Sequence, residues 1–291
     1  MRVPARFEYE VARSVEDAVS LLRRYGSEAR LLAGGHDLLI KMKTREVSPS
    51  VIVDLHKLDD ELRYVRDEGG VLKVGALARH RDVLESPVVR ERYAVLADAE
   101  ALVADPLVRN LGTVGGSLAQ GDPSGDLPAA FTALGAEVSV RGPEGERILP
   151  VEDLYRGHGE LALGADEMIT EVSVPAAFGA SAYAKVKRRA GAWASAAVAV
   201  ALTMEDGNIG DARIGLCGVG ETTLRARRAE EVLWGQAPSR ELFGEAGRRA
   251  AEAADPTGDI RGSAEYKADL ARVLLVRALE KAVERASAGG S

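Results

Sequence analysis

The chain of 291 residues holds a single cysteine, Cys217. This excludes a disulfide framework, an iron–sulfur cluster held by this chain alone and a cysteine-rich zinc site. Any redox chemistry here would need an organic cofactor. Histidine is scarce as well: the four, at positions 36, 56, 80 and 158, fall in neither an HExxH motif nor another ligand spacing, so no metal centre is announced. Apolar runs are short. The longest, 192–202, falls well below the about 18 residues of a spanning helix, and the opening MRVPARFEYEVARS has no apolar core of a leader peptide. A cytoplasmic protein without a membrane span is expected. A basic stripe is also missing: 38 Lys and Arg face 45 Asp and Glu, giving a net charge of −7. The one basic run, Lys185 to Arg189, is too short to make nucleic acid a partner, since phosphate binding needs clustered cations. There is no GxxxxGK[ST] phosphate loop. No GxSxG surrounds Ser117, Ser124 or Ser195, and Thr223 stands where a Rossmann reading of Gly218-Val219-Gly220 needs a third glycine.

What is present is an ordinary globular mix, 46% apolar and 29% charged, enough to bury a core. Ser14 as N-cap, an apolar stripe at Val15, Ala18, Val19 and Leu22, and Gly26 beyond the end predict a helix over 15–25. A strand at 29–32 runs into Ala33-Gly34-Gly35, a helical pattern resumes at 37–42, and a strand follows at 51–55, with local pairing expected. Two runs between 62 and 76 flank Asp67-Glu68-Gly69-Gly70 as a hairpin. A short helix near Arg81 and a longer one at 94–102 precede a second glycine loop, 110–117. Beyond it come a helix over 127–134 and strands at 137–141, 146–149, 169–174, 182–187, 196–204 and 212–216. Helices near 226–233, 241–254 and 264–285 close the chain, before a frayed tail from Ser287. Hairpins and clustered helices point to α+β rather than an alternating parallel sheet.

Two glycine segments, Gly34-Gly35 and Gly115-Gly116, are the informative features. Paired glycines let successive N–H groups face one concavity, as a pyrophosphate requires, although each taken singly also reads as an ordinary tight turn. Asp122 and Asp126 read either as caps of the helix at 127–134 or as an exposed carboxylate for ribose hydroxyls.

Leu32 to Ile40, reading Leu-Ala-Gly-Gly-His-Asp-Leu-Leu-Ile, resembles the FAD-binding (medium) subunit of the molybdenum hydroxylase family. So do Asp105-Pro106 with Arg109 to Ser117, and Asp122-Pro123 with Asp126-Leu127-Pro128. That family includes the medium subunit of aerobic carbon monoxide dehydrogenase and the FAD domain of xanthine dehydrogenase. The likeness extends over almost the whole chain, through Phe7-Glu8-Tyr9, Gly75-Ala76-Leu77 with His80, Lys185 to Arg189, and Asp259 to Tyr266. It implies a two-subdomain FAD-binding fold of the vanillyl-alcohol-oxidase type, at 1–55 and 56–177, plus a C-terminal domain at 178–291 made of a three-stranded sheet with a helical bundle. It further implies that Ala33, Gly34, Gly35, His36, Asp37 and Leu38, with Thr113, Gly115, Gly116 and Ser117, close on the FAD pyrophosphate. Asp126, beside Asp122, is implied to hold the adenosine ribose, and Lys187 to lie near the isoalloxazine.

The implied partners are an iron–sulfur small subunit and a molybdenum large subunit, in a heterotrimer that dimerises. The implied acceptor is external, such as NAD or a quinone. Asp37 stands where the carbon monoxide dehydrogenase type has a serine, which leaves the substrate class open. Gly191 to Ala194 lacks an acidic residue that many relatives place there. Two other readings are a self-sufficient FAD-dependent dehydrogenase of related fold and a scaffold subunit that has lost FAD; four retained glycines oppose the second.

Overall fold

A computed structural model of the chain describes residues 3–175 and 179–289. The expected boundary at 177/178 and the last two residues lie outside the described residues.

The first sheet is built from β1 (Glu8–Val11), β2 (Ala29–Leu32) and β3 (Val51–Asp54), in the order β1-β3-β2. Both pairings are parallel. Helix α1 (Val15–Tyr25) opens as predicted, with the Ser14 hydroxyl accepting from the Asp17 N–H at 3.1 Å, and ends at Gly26, whose φ of 54° suits glycine. Its apolar stripe packs on Val51 and Val53. The 37–42 pattern becomes α2 (Leu38–Thr44). Local pairing of β2 with β3 is found, but β3 is central. Its other edge takes β1, a strand absent from the sequence reading because Glu8, Tyr9 and Glu10 carry no buried alternation.

The second unit is an antiparallel sheet crossed by short helices. After α3 (Asp59–Leu62), the predicted hairpin is β4 (Val65–Glu68) and β5 (Val71–Gly75). Six helices follow: α4 (His80–Glu85), α5 (Pro87–Arg92), α6 (Ala94–Leu102), α7 (Pro106–Leu111), α8 (Val114–Ala119) and α9 (Asp126–Ala133). Then come β6 (Glu137–Gly142), β7 (Gly145–Pro150), the small pair β8 (Tyr155–Gly157) and β9 (Glu160–Leu161), and β10 (Met168–Val174). The sheet order is β4-β5-β10-β6-β7.

The second glycine loop is therefore mostly helix. Asp105 caps α7 by accepting from the Val108 N–H at 3.0 Å, Pro106 fills its first position, and Thr113 caps α8 by accepting from Gly116 N–H at 3.2 Å. Glycine content hid a cap signature that was there to be read.

In the third unit, β11 (Ala180–Val186), β12 (Ala196–Glu205) and β13 (Asn208–Cys217) form the expected three strands, extended by a two-residue fourth, β14 (Leu224–Arg225). Alternation along β12 divides the sheet between two cores. Ala196, Val198, Val200 and Leu202 face the C-terminal helices, while Ala197, Ala199 and Ala201 face α9 and the second sheet. Helices α10 (Arg227–Leu233), α11 (Arg240–Ala253) and α12 (Ala264–Gly289) cover the first face. Helix α12 runs on through the segment read as a tail up to Gly289. Small residues on the other face allow close approach: a Cβ on Gly215 would sit 2.2 Å from the Ala129 carbonyl oxygen. No described helix is long and apolar enough to cross a membrane.

Candidate functional site: a cleft between two glycine segments

The two glycine segments, far apart in sequence, meet in space. Gly34 lies against the end of α7, where a Cβ would come 2.1 Å from the Leu111 carbonyl oxygen and 2.8 Å from Gly112 Cα. Gly35 has φ +72°, open to glycine and strained for other residues. Asp37 is held from both sides, by Gln120 Nε2 at 3.0 Å and by Lys41 Nζ at 2.9 Å. Among the described residues, the backbone N–H groups of Gly34, Gly35, His36 and Asp37 have no acceptor. His36 Nε2 is likewise buried without a partner. Such donors are open to a phosphate group or the polar edge of a dinucleotide, and the buried His36 Nε2 gains from a partner. Ala33 and Leu38 bound the segment at the end of β2 and the first turn of α2.

The second segment works differently from its sequence reading. Val114 N–H donates to the Ala78 carbonyl at 2.9 Å, Gly115 N–H to Ala76 at 2.8 Å and Ser117 N–H to Thr113 at 2.9 Å. These amides are spent inside the protein, so the concavity of free N–H groups expected there is absent. Glycine at 115 serves packing instead: a Cβ would lie 2.7 Å from the Ala76 Cβ. What the segment offers the cleft is a surface without side-chain bulk, with Gly116 exposed and Ser117 half-buried.

Asp126 departs furthest from expectation. It is not an exposed carboxylate but 5% exposed, with Oδ1 accepting from the Tyr183 hydroxyl at 2.6 Å and Oδ2 from Lys185 Nζ at 2.7 Å. Burial pushes its carboxyl up, and Lys185 opposes that shift. Asp126 sits in the first turn of α9 yet caps nothing, and Asp122 folds back on the Ser124 N–H at 2.8 Å. Lys187 reaches the Leu102 carbonyl at 3.3 Å; burial, then neighbouring Lys185, pull its ammonium down. Cys217 completes the cluster 3.7 Å from the Tyr183 hydroxyl, its thiol pushed up to about 12 by burial.

Sequence reasoning missed a second buried pair. His80 Nδ1 lies 2.9 Å from Glu100 Oε2; His80 is 4% exposed and Glu100 wholly buried. Burial pulls the imidazole down, and the Glu100 carboxylate outweighs it, so His80 titrates above its ordinary value. The available signal was a glutamate among the alanines and leucines of α6.

The arrangement brings a segment with open amides against the end of α7 and the glycine-rich start of α8, joined by Gly34 on Leu111 and by Gln120 on Asp37. Comparison with known proteins gives it a lineage. Residues 5–177 match the FAD binding domain in molybdopterin dehydrogenase, and residues 181–282 match the CO dehydrogenase flavoprotein C-terminal domain. The carbon monoxide dehydrogenase medium chain of Hydrogenophaga pseudoflava is 40% identical over 97% of this chain and 99% of its own. The 6-hydroxypseudooxynicotine dehydrogenase complex subunit alpha of Paenarthrobacter nicotinovorans is 35% identical over 97% of this chain and 96% of its own. A solved carbon monoxide dehydrogenase of H. pseudoflava superposes with a TM-score of 0.94 at 41% identity, covering 97% of this chain and 99% of that one. With both halves matched and the groove in place, the chain belongs to the FAD-binding medium subunits of the molybdenum hydroxylase family, and FAD is its cofactor.

Proposed function

We propose that this chain is the electron-relaying subunit of a heterotrimer that itself dimerises. In this reading electrons arrive from iron–sulfur clusters on a small subunit and leave to an external acceptor such as NAD or a quinone, while a large molybdenum subunit oxidises the substrate. FAD supplies a carrier that takes electrons singly and gives them up in pairs. The observation that carries the reading is a groove with four open amides, from Gly34 to Asp37, on a chain with one buried cysteine. The residues' part is binding and placement. The Gly34–Asp37 amides would take the pyrophosphate, Thr113 to Ser117 would line the same site, and Lys187 would lie near the isoalloxazine. Relatives named for different substrates share this chain's length and fold, which supports assigning substrate choice to another subunit.

The test mixes purified subunits anaerobically with the substrate of the complex and follows flavin bleaching. Slow bleaching of this chain alone and rapid bleaching with both partners are expected. Rapid bleaching of the lone chain by a small organic substrate, at the rate of the full complex, would instead establish a self-sufficient dehydrogenase.

A further inference from the structure

The turn that joins α7 to α8 is held from beneath by a buried acid–base pair that the relay itself does not use. His80 N–H donates to the Gly112 carbonyl at 3.1 Å, and Arg79 forms an isolated bridge with Thr113. The imidazole face is pressed so closely on this turn that a Cβ on Gly112 would lie 2.9 Å from its Cδ2 and 3.3 Å from Nε2. Gly112 in turn touches Gly34 through the same close approach that joins the two glycine segments. Behind the ring stands Glu100, wholly buried, with Oε2 on His80 and Oε1 without a partner. A buried carboxylate with one oxygen unmatched is costly unless its single counter-charge stays in place.

We propose that the His80–Glu100 pair is a positioning element of the FAD site: it sets the height of the Gly112–Thr113 turn, and FAD affinity depends on the two residues as a unit. The charged groups around it are Arg109 from α7, Asp126 from α9, and Lys185 and Lys187 reaching in through Asp126 from β11 and the loop after it. Every variant below keeps these four groups, so a difference in pH dependence from wild type reports on the pair.

Breaking the pair from opposite sides has opposite consequences. His80→Gln leaves Glu100 buried without its cation; the ionised form then strains the turn, and protonation relieves it. FAD affinity of this variant falls as pH rises. Glu100→Gln leaves an imidazole that is accommodated neutral and resisted when protonated, so its FAD affinity falls as pH falls. Each single variant weakens FAD at least roughly tenfold at its unfavourable end, the scale of one charge-assisted hydrogen bond. The double variant His80→Gln/Glu100→Gln places two amides in hydrogen-bonding reach and recovers affinity to within roughly threefold of wild type, with a flat profile.

The measurement is FAD binding to the full-length apo chain by flavin fluorescence across that pH range, each profile referred to wild type. Wild-type affinity and a flat profile in both single variants, or slopes of the same sign, overturn the proposal. A structural role alone would give equal losses at every pH. Should a single variant fail to fold, histidine-labelled wild-type chain keeps the test alive: its His80 ring should titrate above an ordinary histidine, and its ring resonances should move when FAD is added. A ring that titrates below an ordinary histidine, or resonances that FAD leaves unmoved, overturns the proposal without any substitution.

Discussion

A methyl group on Gly34 would lie inside the Leu111 carbonyl oxygen, so alanine there must push the two walls of the groove apart. Gly35 faces a different constraint, its left-handed backbone, for which a side chain costs about 1–2 kcal/mol. Gly34→Ala is therefore expected to lose FAD on gel filtration while still folding, and Gly35→Ala to weaken binding about five- to thirtyfold by fluorescence titration. Wild-type FAD retention by folded Gly34→Ala would remove the contact from the argument. Cys217 supplies a second expectation at this scale. A buried thiol pushed up to about 12 is almost wholly un-ionised at pH 8 and shielded as well. Ellman's reagent should react with it only after denaturant is added; one equivalent titrated in the folded protein would contradict the placement.

Among the elements, α12 packs through its apolar face on the third sheet and is tied to α6 by one carboxylate. Asp98 on α6 accepts from Arg285 at 2.7 and 3.0 Å, from Lys281 at 2.9 Å and from the Tyr183 N–H at 3.2 Å. Burial raises its carboxyl, but the two cations and the amide outweigh burial and hold it below the ordinary 3.8. A group depressed in the folded state contributes stability above its unfolded value and loses it as pH falls through the folded one. Asp98→Asn should lower stability by about 1–3 kcal/mol at pH 7, with the difference from wild type shrinking only below pH 4. Urea midpoints at pH 7 and pH 3 read this out; a constant difference at both would mean the charge is irrelevant. Helix α9 carries the parallel case. Lys185→Met leaves Asp126 buried and unpaired at a cost of about 3–5 kcal/mol, and adding Asp126→Asn should recover part of that. Thermal melts of the two variants compare them directly, and a double variant less stable than the single would contradict the pairing.

Across the whole molecule, the sequence was most readable where one periodicity governed a segment. Val15 to Leu22 announced α1, and the strand runs at 196–204 and 212–216 announced β12 and β13. It was least readable where a residue's meaning depends on distant chain. Gly115 looks like a phosphate-loop glycine until Ala76 is seen against it, and Asp126 looks exposed until Tyr183 and Lys185 arrive from β11. His80 and Glu100 lie twenty positions apart in separate helices, with no local pattern to join them. The cofactor's attachment belongs to this scale too. His36 is the one histidine within the two segments, neither holds a cysteine, and its Nε2 is buried. Acid precipitation should therefore release all flavin into the supernatant, and yellow colour retained in the pellet would show a covalent bond.

The contact of Gly34 with Leu111 also fixes when the groove can come into being. Its walls belong to sheets that close separately, the first around β3 and the second around β5 and β10. The seam between them is narrow: Leu62, Leu77 and Met168 inserted into the first core, the Asp37–Gln120 hydrogen bond, and Arg141 on Glu16 at 3.2 Å. Neither half alone brings Gly34 to Leu111, so this contact exists only where the two units dock. A nucleotide lying across that seam binds only the docked form and holds it shut by mass action. The cofactor thus adds its own contacts to a seam that the chain closes with few side chains.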